Sequence, residues 1–146
     1  MSQSATESIR VNAAPTTLFA IVTDFAAYPD WVADLKSVTV LSIDDDRRAN
    51  DVEFRAAAFG RSSNYVLRYD YTEAPGALSW SQVRSDLTTR LDGRYQFESD
   101  GDGTVVRYQL SVDLSLPLPG FIKSRAAQRI MTQALRELKA RAERTA

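Results

Sequence analysis

The sequence predicts an α+β fold: a curved antiparallel sheet of about seven strands around one long C-terminal helix, with two short helices after the first strand. Three observations carry this. Apolar residues recur with period two from Ser37 to Leu116. Beyond Pro117 the period becomes helical. A single helical region, near the start, precedes the run of strands.

Each element can be justified in order. Thr6 to Val11 alternates loosely and sets Ile9 and Val11 on one face of a strand. Pro15 opens a short helix over 15–24, because the missing proline N–H would be unpaired at the first helical position anyway. Leu18, Phe19, Val22 and Phe25 follow at helical spacing. A second helical piece over 25–34 is expected to break near Tyr28-Pro29, since the residue before proline avoids the α region. Asp30 is placed to cap its restart. Strands then follow at Ser37–Ile43, 51–59, Asn64–Thr72, Leu78–Arg84, Thr89–Glu98 and Thr104–Leu116. The turns between them are Asp44–Arg48, Gly60-Arg61-Ser62, Pro75-Gly76 and Asp100-Gly101-Asp102-Gly103. Such short connections permit only antiparallel neighbours, because a parallel pair needs a long crossover. Pro117-Leu118-Pro119-Gly120 ends the sheet, proline having no ladder donor. Phe121 to Thr145 contains neither Gly nor Pro and reads as a helix of roughly 25 residues, about 37 Å long. Its apolar stripe is Ile122, Ala127, Ile130, Met131, Ala134, Leu135 and Leu138. No other element is large enough to cover the sheet.

The chain has 146 residues, 44% of them hydrophobic and 25% charged. This is the size and composition of one globular domain, 1–146, with no repeat or linker. Cysteine and histidine are both absent. That excludes disulfides, thiolate nucleophiles, Cys/His metal sites and any triad built on histidine. Asp44-Asp45-Asp46 lacks the spacing of a calcium loop, so no metal or covalent cofactor is expected. The net charge of −1 gives no global field for nucleic acid. The charge is nevertheless uneven: residues 117–146 carry seven Lys/Arg against two Glu. Most simply this is a solvated helix face with cations near its negative end. The first ten residues are polar and no apolar run can span a bilayer, so the expected location is the cytoplasm.

The candidate site residues are aromatic. Tyr65, Tyr69, Tyr71, Trp80, Tyr95, Phe97 and Tyr108 share the expected inner face of neighbouring strands. Strand propensity alone would give a packed aromatic core. The alternative is an apolar pocket with a few orienting hydroxyls. Buried tyrosine hydroxyls need partners, and five on one face suggest water or a polar ligand group inside. Gln82 shares the face of Trp80, and Gly93 leaves space two residues before Tyr95. Phe54 and Arg55 compete for the inward position, because Ala56-Ala57-Ala58 blurs the alternation. An inward Arg55 would hold a carboxylate or enolate oxygen; an outward one is a surface arginine. No acid–base pair is assignable, and no catalytic residue is named.

Several short runs together point to a family. They are Ala14-Pro15 with Phe19, Tyr28-Pro29-x-Trp31, Leu78-Ser79-Trp80, Gly93-x-Tyr95-x-Phe97, Gly103-Thr104-x-Val106 leading into Tyr108, and Leu118-Pro119-Gly120-Phe121. In this order, across nearly the whole chain, they resemble the helix-grip fold of the START and birch-pollen-allergen-like superfamily, SRPBCC. Within it the resemblance is to the polyketide cyclase/dehydrase and lipid-transport family, in its small actinobacterial single-domain form. The resemblance implies a cavity between the sheet and the last helix. Phe54, Tyr65, Tyr69, Trp80, Gln82, Tyr95, Phe97 and Tyr108 would line it, and Met131 and Leu135 would form its floor, bordered by Gln128 and Thr132. It implies binding, and transport, of a small hydrophobic ligand such as a lipid, isoprenoid or polyketide-like aromatic. Release would need movement in residues 58–64 or at Pro117–Gly120. The alternatives are a polyketide aromatase/cyclase or dehydratase, or a module that meets a ribosome or protein partner through the basic final helix.

Overall fold

The computed structural model describes residues 3–58, 61–115 and 117–145. Strand β1 (Gln3–Val11) leads into helix α1 (Pro15–Thr23) and a 3-10 helix (Phe25–Asp30). Strands β2 (Leu35–Val40), β3 (Asp51–Ala58), β4 (Arg61–Asp70), β5 (Ala77–Ser85), β6 (Thr88–Asp100) and β7 (Gly103–Leu114) follow, and helix α2 (Gly120–Thr145) ends the chain. The strands form one antiparallel sheet in the order β1-β7-β6-β5-β4-β3-β2. The six later strands are a meander, and the first strand closes on the last. This is the helix-grip arrangement, a curved seven-stranded sheet and a long C-terminal helix with short helices early.

Local chemistry explains most boundaries. Ala14 precedes Pro15 in extended conformation, as a residue before proline must be. Gly101 takes φ +59°, the left-handed value that the two-residue connection between β6 and β7 requires. Thr104, fully buried, donates its hydroxyl to the Ala13 carbonyl at 2.7 Å and pins the corner between β1 and α1.

Four expectations need correction. The second helical piece does not restart after Pro29: the 3-10 helix ends at Asp30, which caps nothing, and residues 31–34 turn instead. A tertiary bond replaces the cap, with the Ala33 N–H donating to Glu137 Oε2 at 2.8 Å. β2 begins at Leu35 rather than Ser37, because an irregularity between Leu35 and Ser37 breaks the alternation that periodicity relies on. It stops at Val40; Ile43 makes only an isolated bridge to Ala49. β4 starts at Arg61, so Arg61 and Ser62 pair with Ala58 and Ala57 instead of turning. The rest of that turn, Phe59 and Gly60, and Leu116 after β7 lie outside the described residues.

The stripe of α2 is also narrower than expected. Ala127, Met131, Leu135, Leu138 and Ala142 are the buried positions, spaced by four, four, three and four residues. Ile122 and Ile130, assigned to the stripe by periodicity, are 37% and 36% exposed, because they sit off this line. The stripe packs on β1 and β7. Each fully buried Leu or Met there contributes about 1.5–3 kcal/mol. α1 seats Leu18 and Val22 in the same core, and Phe19 meets Phe97 edge to face at 6.5 Å.

Gly93 stands directly across from Trp80 in the β5–β6 ladder. A Cβ at Gly93 would lie 2.3 Å from Cζ2 of the indole. Glycine here lets the tryptophan ring occupy the space a side chain would take on the neighbouring strand. Gly93→Ala should therefore displace the indole and destabilise the fold by about 1–3 kcal/mol. A lowered urea midpoint at unchanged slope, with altered tryptophan emission, is the expected result.

Candidate functional site

Because α2 is seated on β1 and β7, its adjacent flank stands off from β3–β6. The gap is a cavity of about 230 Å³. Its walls are Phe54 and Ala56 of β3, Tyr65, Leu67 and Tyr69 of β4, Trp80 of β5, Leu91 and Tyr95 of β6, and Tyr108 of β7. Tyr28, Trp31, Val32, Asp34 and Leu35 close one side. Ile130, Gln133, Ala134 and Glu137 of α2 form the roof. An outer cleft of about 550 Å³ shares Asp34, Ala56, Tyr65, Leu91, Ile130 and Gln133 with it and extends past Ser63, Leu87, Thr88 and Arg129.

Six of the expected residues meet at this cavity: Phe54, Tyr65, Tyr69, Trp80, Tyr95 and Tyr108. The Phe54–Arg55 question resolves with Phe54 buried inward and Arg55 exposed. The other four lie elsewhere. Gln82 is committed to the β5–β6 connection, donating from Nε2 to the Thr88 carbonyl at 3.0 Å and accepting from the Thr88 hydroxyl at 2.6 Å. Phe97 packs between Phe19 and Tyr95. Met131 and Leu135 belong to the buried stripe of α2, not to the flank that roofs the cavity. Tyr71 also leaves the set: its hydroxyl donates to the Ala49 carbonyl at 2.7 Å, under the Arg48 guanidinium. Of the bordering pair, Gln128 donates to Glu7 of β1, and Thr132 is half-buried beyond the cavity wall.

Sequence reasoning missed Tyr28, Trp31, Asp34, Gln133 and Glu137. The first two stand in the Tyr28-Pro29-x-Trp31 run, which carried resemblance but no role. Gln133 and Glu137 lie outside the apolar stripe expected for the helix. Their signal is an i, i+4 polar pair that shares a helix face with Ile130 and Ala134. Gln133 Nε2 donates to Asp34 Oδ2 at 3.1 Å. Together with the Ala33–Glu137 bond, this ties the turn after the 3-10 helix to α2.

The hydroxyls divide into two groups. Tyr28 and Tyr71 donate to backbone carbonyls, Tyr28 to Val22 at 2.5 Å. Tyr65, Tyr69, Tyr95 and Tyr108 make no hydrogen bond among the described residues. No described polar side-chain atom is sealed from solvent without a partner, so these four hydroxyls open onto the cavity. Three of the rings are nonetheless well buried, Tyr69, Tyr95 and Tyr108 being 7%, 8% and 6% exposed, and Tyr65 is half-buried. The Trp80 ring lies 5.3 Å from Tyr95, 5.7 Å from Tyr108 and 5.8 Å from Tyr69.

The sequence profile described as polyketide cyclase / dehydrase and lipid transport matches residues 2–143. The chain belongs to that family. No curated protein sequence matches it significantly. Among solved structures, it is similar to a START superfamily protein from Mycobacterium smegmatis, with a TM-score of 0.93 at 24% identity, covering 98% of this chain and 99% of that one. It is similar also to the Zhui aromatase/cyclase from Streptomyces sp. R1128, with a TM-score of 0.83 at 14% identity over 99% and 95% of the two chains. A third likeness is to the di-domain ARO/CYC BexL of the BE-7585A biosynthetic pathway, with a TM-score of 0.72 at 18% identity, covering 97% of this chain and 50% of that one. At these identities the likeness establishes a shared helix-grip fold. Among the described residues, no helix is long and apolar enough to cross a membrane.

In this polyketide cyclase / dehydrase and lipid transport family member, the cavity phenols are held neutral. Burial is the leading cause, pushing Tyr65 up to about 12 and Tyr28, Tyr69, Tyr95 and Tyr108 well above the ordinary value. Neighbouring tyrosines add to the rise at Tyr69 and Tyr108, and Tyr28 and then Glu137 add to it at Tyr95. Burial also lifts Tyr71 to about 12. These are all six tyrosines of the chain. The unfolded chain releases their protons near pH 10, whereas the folded protein keeps them. Their contribution to stability is therefore complete below pH 10 and is lost as the pH climbs toward 12. In an alkaline titration, tyrosinate absorbance should be absent at the ordinary value and should rise together with the loss of far-ultraviolet circular dichroism. A normal early tyrosinate step in folded protein would contradict this.

Proposed function

We propose that the protein binds a small hydrophobic molecule in the cavity between sheet and α2, and carries it. One observation supports this most: tyrosine hydroxyls with no protein partner among the described residues, on largely buried rings, open onto an apolar space of about 230 Å³. A packed core would seal such groups, and an unsatisfied buried hydroxyl costs about 1–3 kcal/mol; here the cavity leaves them open to a partner. A ligand with an apolar body and one or two oxygen functions would satisfy them. Transfer of its apolar surface from water would supply about 25 cal/mol per Å², and the neutral phenols would orient it.

The same neutral phenols favour a second reading, a polyketide aromatase/cyclase. A phenol O–H donated to a ketone oxygen stabilises the enolate that ring closure passes through. The likeness to aromatase/cyclase structures supports that reading at the level of fold.

Organic-solvent extraction of the purified protein followed by mass spectrometry should release a hydrophobic small molecule. Nothing released, together with turnover of a poly-β-keto substrate, would favour the second reading. Both tryptophans, Trp31 and Trp80, line the cavity, so intrinsic fluorescence should respond when a ligand fills it. Tyr95→Phe removes only the hydroxyl. It should weaken a ketone-bearing aromatic probe by about 0.5–1.5 kcal/mol while leaving the parent hydrocarbon unaffected. Equal losses for both probes would exclude Tyr95 as the orienting donor.

A further inference from the structure

The charge of the cavity wall goes further than its apolarity. Of its lining residues only Asp34 and Glu137 carry carboxyl groups, and no lysine or arginine lines the inner cavity. Each carboxylate has one modest protein partner. Glu137 Oε2 accepts the Ala33 N–H at 2.8 Å, and Asp34 Oδ2 accepts Gln133 Nε2 at 3.1 Å. Both bonds leave the second oxygen of each carboxylate for another donor. Neither group has an ion-pair partner among the described residues, and Arg129, on the wall of the outer cleft beside Asp34, makes no ion pair with it.

The surroundings of this pair are aromatic. Trp31 and Tyr28 line the same side of the cavity, with ring centroids 5.1 Å apart and planes inclined by 61°. Tyr28 in turn lies 6.0 Å from Phe54. Inclined aromatic faces beside carboxylates attract an ammonium group by the ring quadrupole and by charge. Deeper in, Tyr69, Tyr95 and Tyr108 present unpartnered hydroxyls on rings at least nine-tenths buried. The cavity thus has hydroxyls able to meet a ligand oxygen inside and negative charge with aromatic faces at the α2 flank.

We infer that the cavity selects an amphiphilic cation, a flat apolar body bearing a protonated or quaternary amine that sits between Asp34, Glu137 and the Trp31–Tyr28 faces, and that it rejects carboxylate-headed lipids. The inference rests on the binding function proposed above. A fatty-acid headgroup at this position would face two like charges with no cation on the inner wall. An amine there gains two uncommitted carboxylate oxygens.

The test is calorimetric titration of the full chain with naphthylethylamine, naphthylethanol and naphthylacetate, which share one bicyclic body and differ in head charge. The amine should bind about tenfold or more tighter than the acid, equivalent to roughly 1.4 kcal/mol, with the alcohol between them. Asp34→Asn and Glu137→Gln each keep an oxygen that can accept the existing hydrogen bond, so both should fold. Combined, they should bring the amine down to the affinity that the alcohol shows for the same double variant. Equal affinities for the three probes, or preference for the acid, would overturn the cation selectivity while leaving the cavity a binding site. Failure of all three to bind would overturn both this inference and the reading beneath it. A charge preference that survives the double variant would remove Asp34 and Glu137 as its source.

Discussion

The seating of α2 on one side of the sheet governs the rest of the molecule. Ala127, Met131, Leu135, Leu138 and Ala142 make a narrow stripe, and its alanines allow the helix to approach closely on β1 and β7. A helix has one such stripe, and this one is committed to the side of the sheet where β1 pairs with β7. The flank beside it, Ile130, Gln133, Ala134 and Glu137, therefore faces β3–β6 across a gap. The large rings of those strands lean into the gap without filling it. Close packing on one side and a cavity on the other are two results of a single rigid-body placement.

That placement also arranges polarity. The turn after the 3-10 helix closes the cavity by bonding Ala33 and Asp34 to the helix flank, and so brings carboxylates to an otherwise apolar wall. Inside, desolvation keeps the tyrosines protonated, so they offer O–H donors. The interior is thus not uniformly greasy. It has neutral donors at depth and carboxylates at its rim, Asp34 exposed and Glu137 half-buried, a pattern that specifies orientation as well as burial.

The fold was legible because its signals are local. Tyr65, Leu67 and Tyr69 alternate cleanly with their neighbours, and Pro117 and Gly120 mark where strand gives way to helix. Parity also put Trp80, Tyr95 and Tyr108 on one face, where they lie together. Parity states a face, however, not an occupant. It could not separate Tyr71, whose hydroxyl reaches Ala49, from Tyr69, whose hydroxyl reaches none of the described residues. Nor could it show that Gln82 is engaged by Thr88. For Met131 and Leu135 the strength of the apolar stripe was itself misleading: the most apolar face of a helix packs, and a cavity is roofed by the next face round. Asp34 and Glu137 were invisible for a different reason. They belong to one wall only through contacts between segments about a hundred residues apart, and no local pattern encodes those.

The pairing of β1 with β7 has a consequence for how the chain assembles. Val11 faces Thr104, and Gln3 faces Val112, whereas every other strand pairs with its immediate successor or predecessor in sequence. The meander can zip up hairpin by hairpin, closing short loops at small entropic loss. β1 has no partner until β7 exists, and α2, whose stripe rests on both, comes later still. During synthesis the first strand therefore leaves the ribosome well before any surface on which it can rest. The hydrophobic face of the meander stays uncovered until the final helix arrives, and the interval in which the chain is vulnerable to aggregation is set by its topology rather than by its stability.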